Sequence, residues 1–260
     1  MSNILNRDFL IEVAANKVDN YSIMEAFGER ENVGTTTAGE DITRMNDLTP
    51  APASHTSIPT PAAAGEQMTI ISESALDGTS LNTGIQEVEI HYLDADGNPQ
   101  TELKTMNGTT GVNTTATNIR FIQYMHATVV GTGGVAAGHI KIYKTGTVNL
   151  VYCMIAQGGN MSLLPHRMVP LGKKLILLGW HASEATGKRQ AIRIRSTDNE
   201  GVILTGIFNF KDTFYLNKTV GVNNFLHQAL PALAIVKVSS WANVTGGEVA
   251  CGWNGLLLPE

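Results

Sequence analysis

The chain reads as all-β: a jelly-roll-like β-sandwich body preceded by an extended, partly helical N-terminal arm. Three observations predict this. About a dozen short apolar stretches, many alternating with period two, are punctuated by Gly, Asn and Pro. Long helical periodicity is absent from the body. Only 16% of the 260 residues are charged, against roughly 25% in an average globular domain, which suits strands whose surface is covered by neighbours.

Residues 1–47 form an acidic arm. Phe9, Leu10 and Val13 fall at helical spacing, as do Ile23, Met24 and Phe27; Asp19, Asn20 and Tyr21 interrupt the pattern and Gly28 offers a stop. Two pieces this short cannot make a core, so these six apolar residues are expected to be anchors that dock on a partner surface. Residues 48–65 (LTPAPASHTSIPTPAAAG) carry Pro50, Pro52, Pro59 and Pro61, which remove backbone donors and favour extended chain. This is a spacer or a surface-hugging strap, able to span roughly 50 Å when extended.

Residues 66–260 are the body. The expected strands are Met68–Ser72, Gln86–Leu93, Gln100–Met106, Ile119–Val130, His139–Lys144, Asn149–Ala156, Leu175–His181, Gln190–Ser196, Val202–Phe210, Thr213–Leu216, Leu233–Ser240 and Glu248–Leu258. Val88, Ile90 and Tyr92 share one face while Glu87, Glu89 and His91 take the other. Asp96-Gly97-Asn98 has the composition of a hairpin turn. The punctuation fits one double-sheet sandwich, and it also admits two smaller ones meeting near Gly146.

Charge divides unevenly. Up to Leu103 there are 17 acidic and 4 basic residues, and after it 6 and 14. Such asymmetry can mark an interaction tail, although strands that intermix in the fold would largely cancel it. No dense Lys/Arg run appears, so no nucleic-acid partner is expected. The N-terminus lacks the apolar run of a signal peptide, and no stretch approaches the roughly 20 apolar residues of a membrane span. The expected setting is the cytoplasm or something assembled there, with no membrane partner.

A search for chemistry finds little. Asp94, Asp96 and Asn98 are spaced like calcium ligands, but the sixth and twelfth positions of that loop are Pro99 and Thr105 rather than Gly and Glu. Gly131–Gly138 resembles a dinucleotide loop, yet a strand follows where a helix is needed. The seven histidines show no ligand spacing. His91, His126 and His139 lie in successive strands and could meet on one sheet face, with cross-strand packing as the expectation. Cys153 and Cys251 match no zinc or CxxC pattern and read as buried free thiols. No catalytic residue, metal or cofactor is assigned, and the chain is not expected to be an enzyme. Trp180, Trp241 and Trp253 could stack on sugars as surface aromatics, or fill a core or subunit interface.

Three stretches carry a family resemblance: Met68–Asp77 (MTIISESALD), Gly84–Asn98 (GIQEVEIHYLDADGN) and Met106–Thr114 (MNGTTGVNT). Together they resemble a segment of tailed-bacteriophage virion structural proteins. Leu93-Asp94 keeps the family's Leu-Asp pair and Asn107–Thr110 its N-G-T-T. Val169–Lys174 is similar to its V-P-x-G-K, and Glu248–Leu258 to its last strand. Tyr92 departs from the pattern, standing where Gly is frequent. The likeness covers most of residues 66–260, and Tyr21–Val33 resembles a short element before the body. The resemblance implies a non-enzymatic structural component of a phage virion. The accompanying expectation is a homo-oligomer, a trimer, mounted by residues 1–47 on capsid, portal or neck proteins. The alternative is a receptor- or host-glycan-binding sandwich of the virion.

Overall fold

A computed structural model describes residues 8–79, 83–197, 207–218 and 222–260. One short helix, α1 (Phe9–Ala14), precedes β1 (Ser22–Val33) and β2 (Glu40–Asp41). Next come β3 (Met68–Ser72), β4 (Ile85–Asp94), β5 (Pro99–Thr105), β6 (Val112–Asn113), β7 (Ile119–Val130), β8 (Ile140–Lys144) and β9 (Val151–Ile155). The chain ends with β10 (Arg167–Met168), β11 (Lys173–Glu184), β12 (Gln190–Thr197), β13 (Phe208–Leu216), β14 (Val222–Leu230), β15 (Ile235–Ala242) and β16 (Gly247–Pro259). The all-β reading holds. Residues 202–206 of the expected strand Val202–Phe210 lie outside the described residues.

The sheets are antiparallel and run β1-β16-β11-β14, β10-β15-β12-β13, β6-β3-β8-β9 and β5-β4-β7, with β2 also paired to β15. β12 occupies one edge of β15. On the other edge, β2 pairs Asp41 with Ser239, Ile42 N donates to Val238 O, and β10 continues with Arg167 opposite Val236 and Met168 opposite Ile235. β2 and β10 therefore lie end to end and point the same way: they are two halves of one strand. Counting them as strand two, the eight strands of this sandwich are ordered 1-8-3-6 and 2-7-4-5, which is the jelly roll. Everything between Arg44 and His166, including β3–β9, is a second sandwich inserted into the split strand.

Each sandwich has its own apolar centre. Val33, Leu177, Trp180, Ile192, Val238 and Cys251 fill the jelly roll, while Ile70, Val88, Ile90, Met125, Ile142 and Cys153 fill the insert. Leu93 and Phe121 of the insert meet Met168, Leu233 and Ile235 of the jelly roll in a third cluster. Gln123 donates to Met168 O (2.6 Å) and accepts from Met168 N (3.1 Å), so polar groups at this joint are satisfied in pairs. The sandwiches meet here and at Arg44, not near Gly146.

Two expectations for residues 1–65 need correction. Ile23, Met24 and Phe27 are not on a helix: they belong to β1, which pairs with β16 from Ser22↔Leu257 to Val33↔Gly247 and contributes Ala26 and Val33 to the core. A free β16 edge next to an apolar core outweighs the weak helical preference of this segment. The body thus begins at β1, not at Glu66. The Pro-rich stretch is tied down as a strap. Ile58 is buried in the insert's core and its N–H donates to Asp41 Oδ2 (2.9 Å), while Arg30 bonds His55 O and pairs with Glu40 (3.0 Å).

The turn between β11 and β12 is organised by Glu184. Its carboxylate accepts from the N–H groups of Thr186 (2.7 Å), Gly187 (2.9 Å) and Lys218 (2.8 Å), and from the Thr186 hydroxyl. Burial alone would raise its pKa, but these donors outweigh burial and hold it down, from 4.5 to about 2. A depressed carboxylate pKa stabilises the fold fully above pH 4.5 and progressively less as pH falls through 2. In denaturation curves taken across pH, Glu184→Gln should be least stable relative to the parent at neutral pH, and the gap should close between those two values. A gap independent of pH would contradict this role.

Candidate functional site

Period two on β4 turns Val88, Ile90 and Tyr92 into the insert's core and leaves Glu87, Glu89 and His91 on the opposite face. On the neighbouring β7, the register sets His126 opposite Glu89 and Tyr124 opposite His91. The result is a ladder of polar side chains. Thr128 Oγ1 donates to Glu87 (2.7 Å) at one end, and at the other His91 stacks on Tyr124 with ring centroids 4.1 Å apart. Between them the rings of His91 and His126 lie 5.2 Å apart, and His91 Nε2 sits 2.8 Å from Glu89 Oε1.

That last contact lacks the alignment of a hydrogen bond, and His126 Nδ1 is buried without a partner. Burial lowers the pKa of His91; Glu89 opposes this, while His126 and Arg167 add to it. Of the three histidines that could meet on one face, His91 and His126 do. His139 does not: it precedes β8 in the other sheet and its Nδ1 accepts from Gln157 N (3.1 Å).

Beside this ladder the chain returns from the insert to the jelly roll through residues 161–167, and two adjoining grooves of about 700 and 540 Å³ flank the return. Both are lined by Glu25, Met161 and Arg167. Arg167 is buried and donates to the carbonyls of Gln123 (2.5 Å), Leu164 (2.8 Å) and His166 (3.0 Å), with its guanidinium 5.2 Å from the Tyr124 ring centre. Burial lowers its pKa to about 10, so it stays a cation at neutral pH. It acts as a joint between the two sandwiches.

The sequence-predicted site residues scatter. Trp180 and Trp253 are 2% exposed and cannot stack on a sugar; their indole N–H groups donate inward, to Asp212 (2.9 Å) and Pro165 O (3.1 Å). Trp241 is half-buried, 5.9 Å from the Arg193 guanidinium. Of the six docking anchors, Val13 is fully buried, Ile23 and Met24 are half-buried in β1, and Phe9, Leu10 and Phe27 are exposed. The hairpin at Asp96–Asn98 forms as expected, with Asp94 Oδ1 accepting from Asp96 N (3.0 Å) and Asn98 N (2.9 Å). Cys153 and Cys251 are buried free thiols in separate cores.

Sequence reasoning missed Asp77. Its carboxylate is fully buried and accepts from Ser72 Oγ (2.6 Å) and from the N–H groups of Ile85 (2.8 Å), Ala137 (2.9 Å) and Gly138 (2.9 Å). Gly84 makes the approach possible, since a Cβ there would stand 2.1 Å from Asp77 Oδ1. The Gly-rich loop between β7 and β8 is therefore pinned to β3 and β4. No local signal marks this aspartate, because two of its donors, Ala137 and Gly138, lie 60 and 61 residues away in sequence.

Among the described residues no helix is long and apolar enough to cross a membrane. No family model matches the chain, and no curated protein matches it. Among solved structures the chain is similar to one from the infectious bursal disease virus particle, at 8% identity and TM-score 0.29 over 92% of this chain and 70% of that one. It is also similar to one from the Gx strain of the same virus, at 8% identity and TM-score 0.27 over 92% and 72%. At these scores the likeness assigns the chain to no family.

Proposed function

We propose that the chain is a non-enzymatic structural component of a virus particle, and of a tailed-phage particle in particular, working as a homo-oligomer. The observation that carries this reading is the 1-8-3-6 and 2-7-4-5 strand order, an architecture used by viral capsid and lectin domains. Strand order alone is analogy, but the side chains point the same way. The space between the jelly-roll sheets is taken by Trp180, Ile192, Val238 and their neighbours, so that interior is a packed core rather than a ligand chamber. β13 and β14 end their sheets and expose Phe210, Tyr215 and Phe225, apolar surface that an adjacent subunit would cover.

Within this reading the assembly is a trimer on the capsid or neck, and the mount contracts from residues 1–47 to the segment before β1, where Phe9 and Leu10 of α1 are exposed. Many copies on one particle make a small anchor sufficient through avidity. The glycan-binding alternative has less to stand on, because two of its three tryptophans are interior. Quantitative mass spectrometry of purified particles of the virus encoding this chain should find it at a fixed multi-copy ratio to the capsid protein. Its absence from washed particles would overturn the proposal.

A further inference from the structure

We propose that Glu89, His91 and His126 form a binding site for a divalent transition-metal ion, with Zn²⁺ the best match. Each offers one donor atom, and the three donors lie within 4.8 Å of one another. Two imidazoles and a carboxylate are a donor set suited to Zn²⁺ and its borderline neighbours, and poorly suited to Ca²⁺ or Mg²⁺, which take oxygen. Around a tetrahedral Zn²⁺, donors stand about 3.3 Å apart, as follows from metal–ligand distances of about 2.0–2.1 Å. Binding would draw the three donors together from their present spread, within 4.8 Å, towards that spacing.

The backbone fixes the constellation. Glu89 and His91 share a face of β4 by period two, and the β4–β7 register brings His126 opposite Glu89. Stacking on Tyr124 limits the rotation of His91. Two features distinguish the trio from ordinary cross-strand packing. His126 Nδ1 is buried without a hydrogen-bond partner, and His91 Nε2 faces Glu89 Oε1 without hydrogen-bond alignment. A bound cation would engage nitrogens that the protein leaves unsatisfied. The side chains of His91 and Glu89 remain 23% and 26% exposed, so the trio borders solvent, with His91 Nε2 and His126 Nδ1 themselves just beneath the surface. Arg167, 5.2 Å from the Tyr124 ring centre, is the opposing positive charge, and its three carbonyl partners hold it in place. Three protein donors leave a further coordination position for water or for a side chain of an adjacent subunit.

The test uses the full-length chain without a histidine tag, stripped of metal with EDTA and titrated calorimetrically with Zn²⁺. One equivalent should bind saturably. His126→Asn and Glu89→Gln should each weaken binding by at least roughly tenfold, the lower end of what perturbing a metal site costs, while His139→Asn should bind as the parent does. Thermal unfolding in EDTA checks that each variant is folded. Co²⁺ titration of the parent gives a second readout that needs no variant: visible d–d bands of a nitrogen-ligated site. Absence of saturable Zn²⁺ binding and of Co²⁺ bands in the parent would overturn the proposal. So would Zn²⁺ binding that survives unchanged in a folded His91→Asn/His126→Asn double variant.

Discussion

Deleting residues 1–43 should abolish folding of the jelly roll, whereas deleting residues 1–17 should leave it folded. β1 is an outer strand in sequence but a structural one in space, with its partners running along β16 from Leu257 to Gly247. Its loss would bare the β16 edge, remove Ala26 and Val33 from the core, and strip the His55 carbonyl of the buried Arg30 guanidinium. The deletion also takes half of the split strand, β2, whose Asp41 pairs with Lys237 (3.1 Å). Those combined losses exceed the roughly 5–15 kcal/mol by which a domain is stable. The shorter deletion forfeits chiefly the burial of Val13, worth about 1.5–3 kcal/mol. Soluble yield and circular-dichroism melting of the two truncations distinguish the cases. A cooperative melt of the longer truncation near the parent's temperature would contradict the assignment of β1 to the core.

Asp77→Ala is expected to be the most damaging single substitution in the insert. It would leave three backbone N–H groups and the Ser72 hydroxyl buried without an acceptor. Each orphaned buried donor costs about 1–3 kcal/mol. Partial relaxation of the loop after β7 limits the total, and a loss of roughly 3 kcal/mol or more is expected, with a melting temperature lower by roughly 10 °C. Hydrogen exchange should quicken at Ala137 and Gly138 before the rest of the insert. Melting within about 2 °C of the parent would show that the carboxylate is dispensable, since that shift corresponds to no more than about 1 kcal/mol.

Much of the insert was legible in the sequence. Apolar stretches between turn residues mark β3 and β7 with their observed bounds, period-two alternation marks β4, and Asp96-Gly97-Asn98 places the β4–β5 hairpin. Two of the long strands escape for different reasons. β1 (SIMEAFGERENV) contains Glu, Met and Ala, good helix formers at helix-compatible spacing, and only pairing with β16 reveals it. β14 (VNNFLHQAL) carries Asn, His and Gln and shows no alternation, because as an end strand it buries little beyond Leu226 and Leu230. The division of one strand into β2 and β10, some 120 residues apart in sequence, has no local signature. Non-local register also explains the polar ladder: Glu89 and His91 share a face by sequence alone, but His126 joins them only through the β4–β7 pairing. Of the two readings open to the tryptophans, the interior one holds for Trp180 and Trp253, because an indole supplies enough apolar area to be drawn inside when its N–H finds an acceptor.

Electron cryomicroscopy of the purified virion tests whether this two-sandwich chain is part of the particle. Symmetry-related density should match a jelly roll with a second sandwich inserted into its split strand, with neighbouring subunits covering Phe210, Tyr215 and Phe225. A particle map in which every ordered protein density is accounted for by other chains would contradict it.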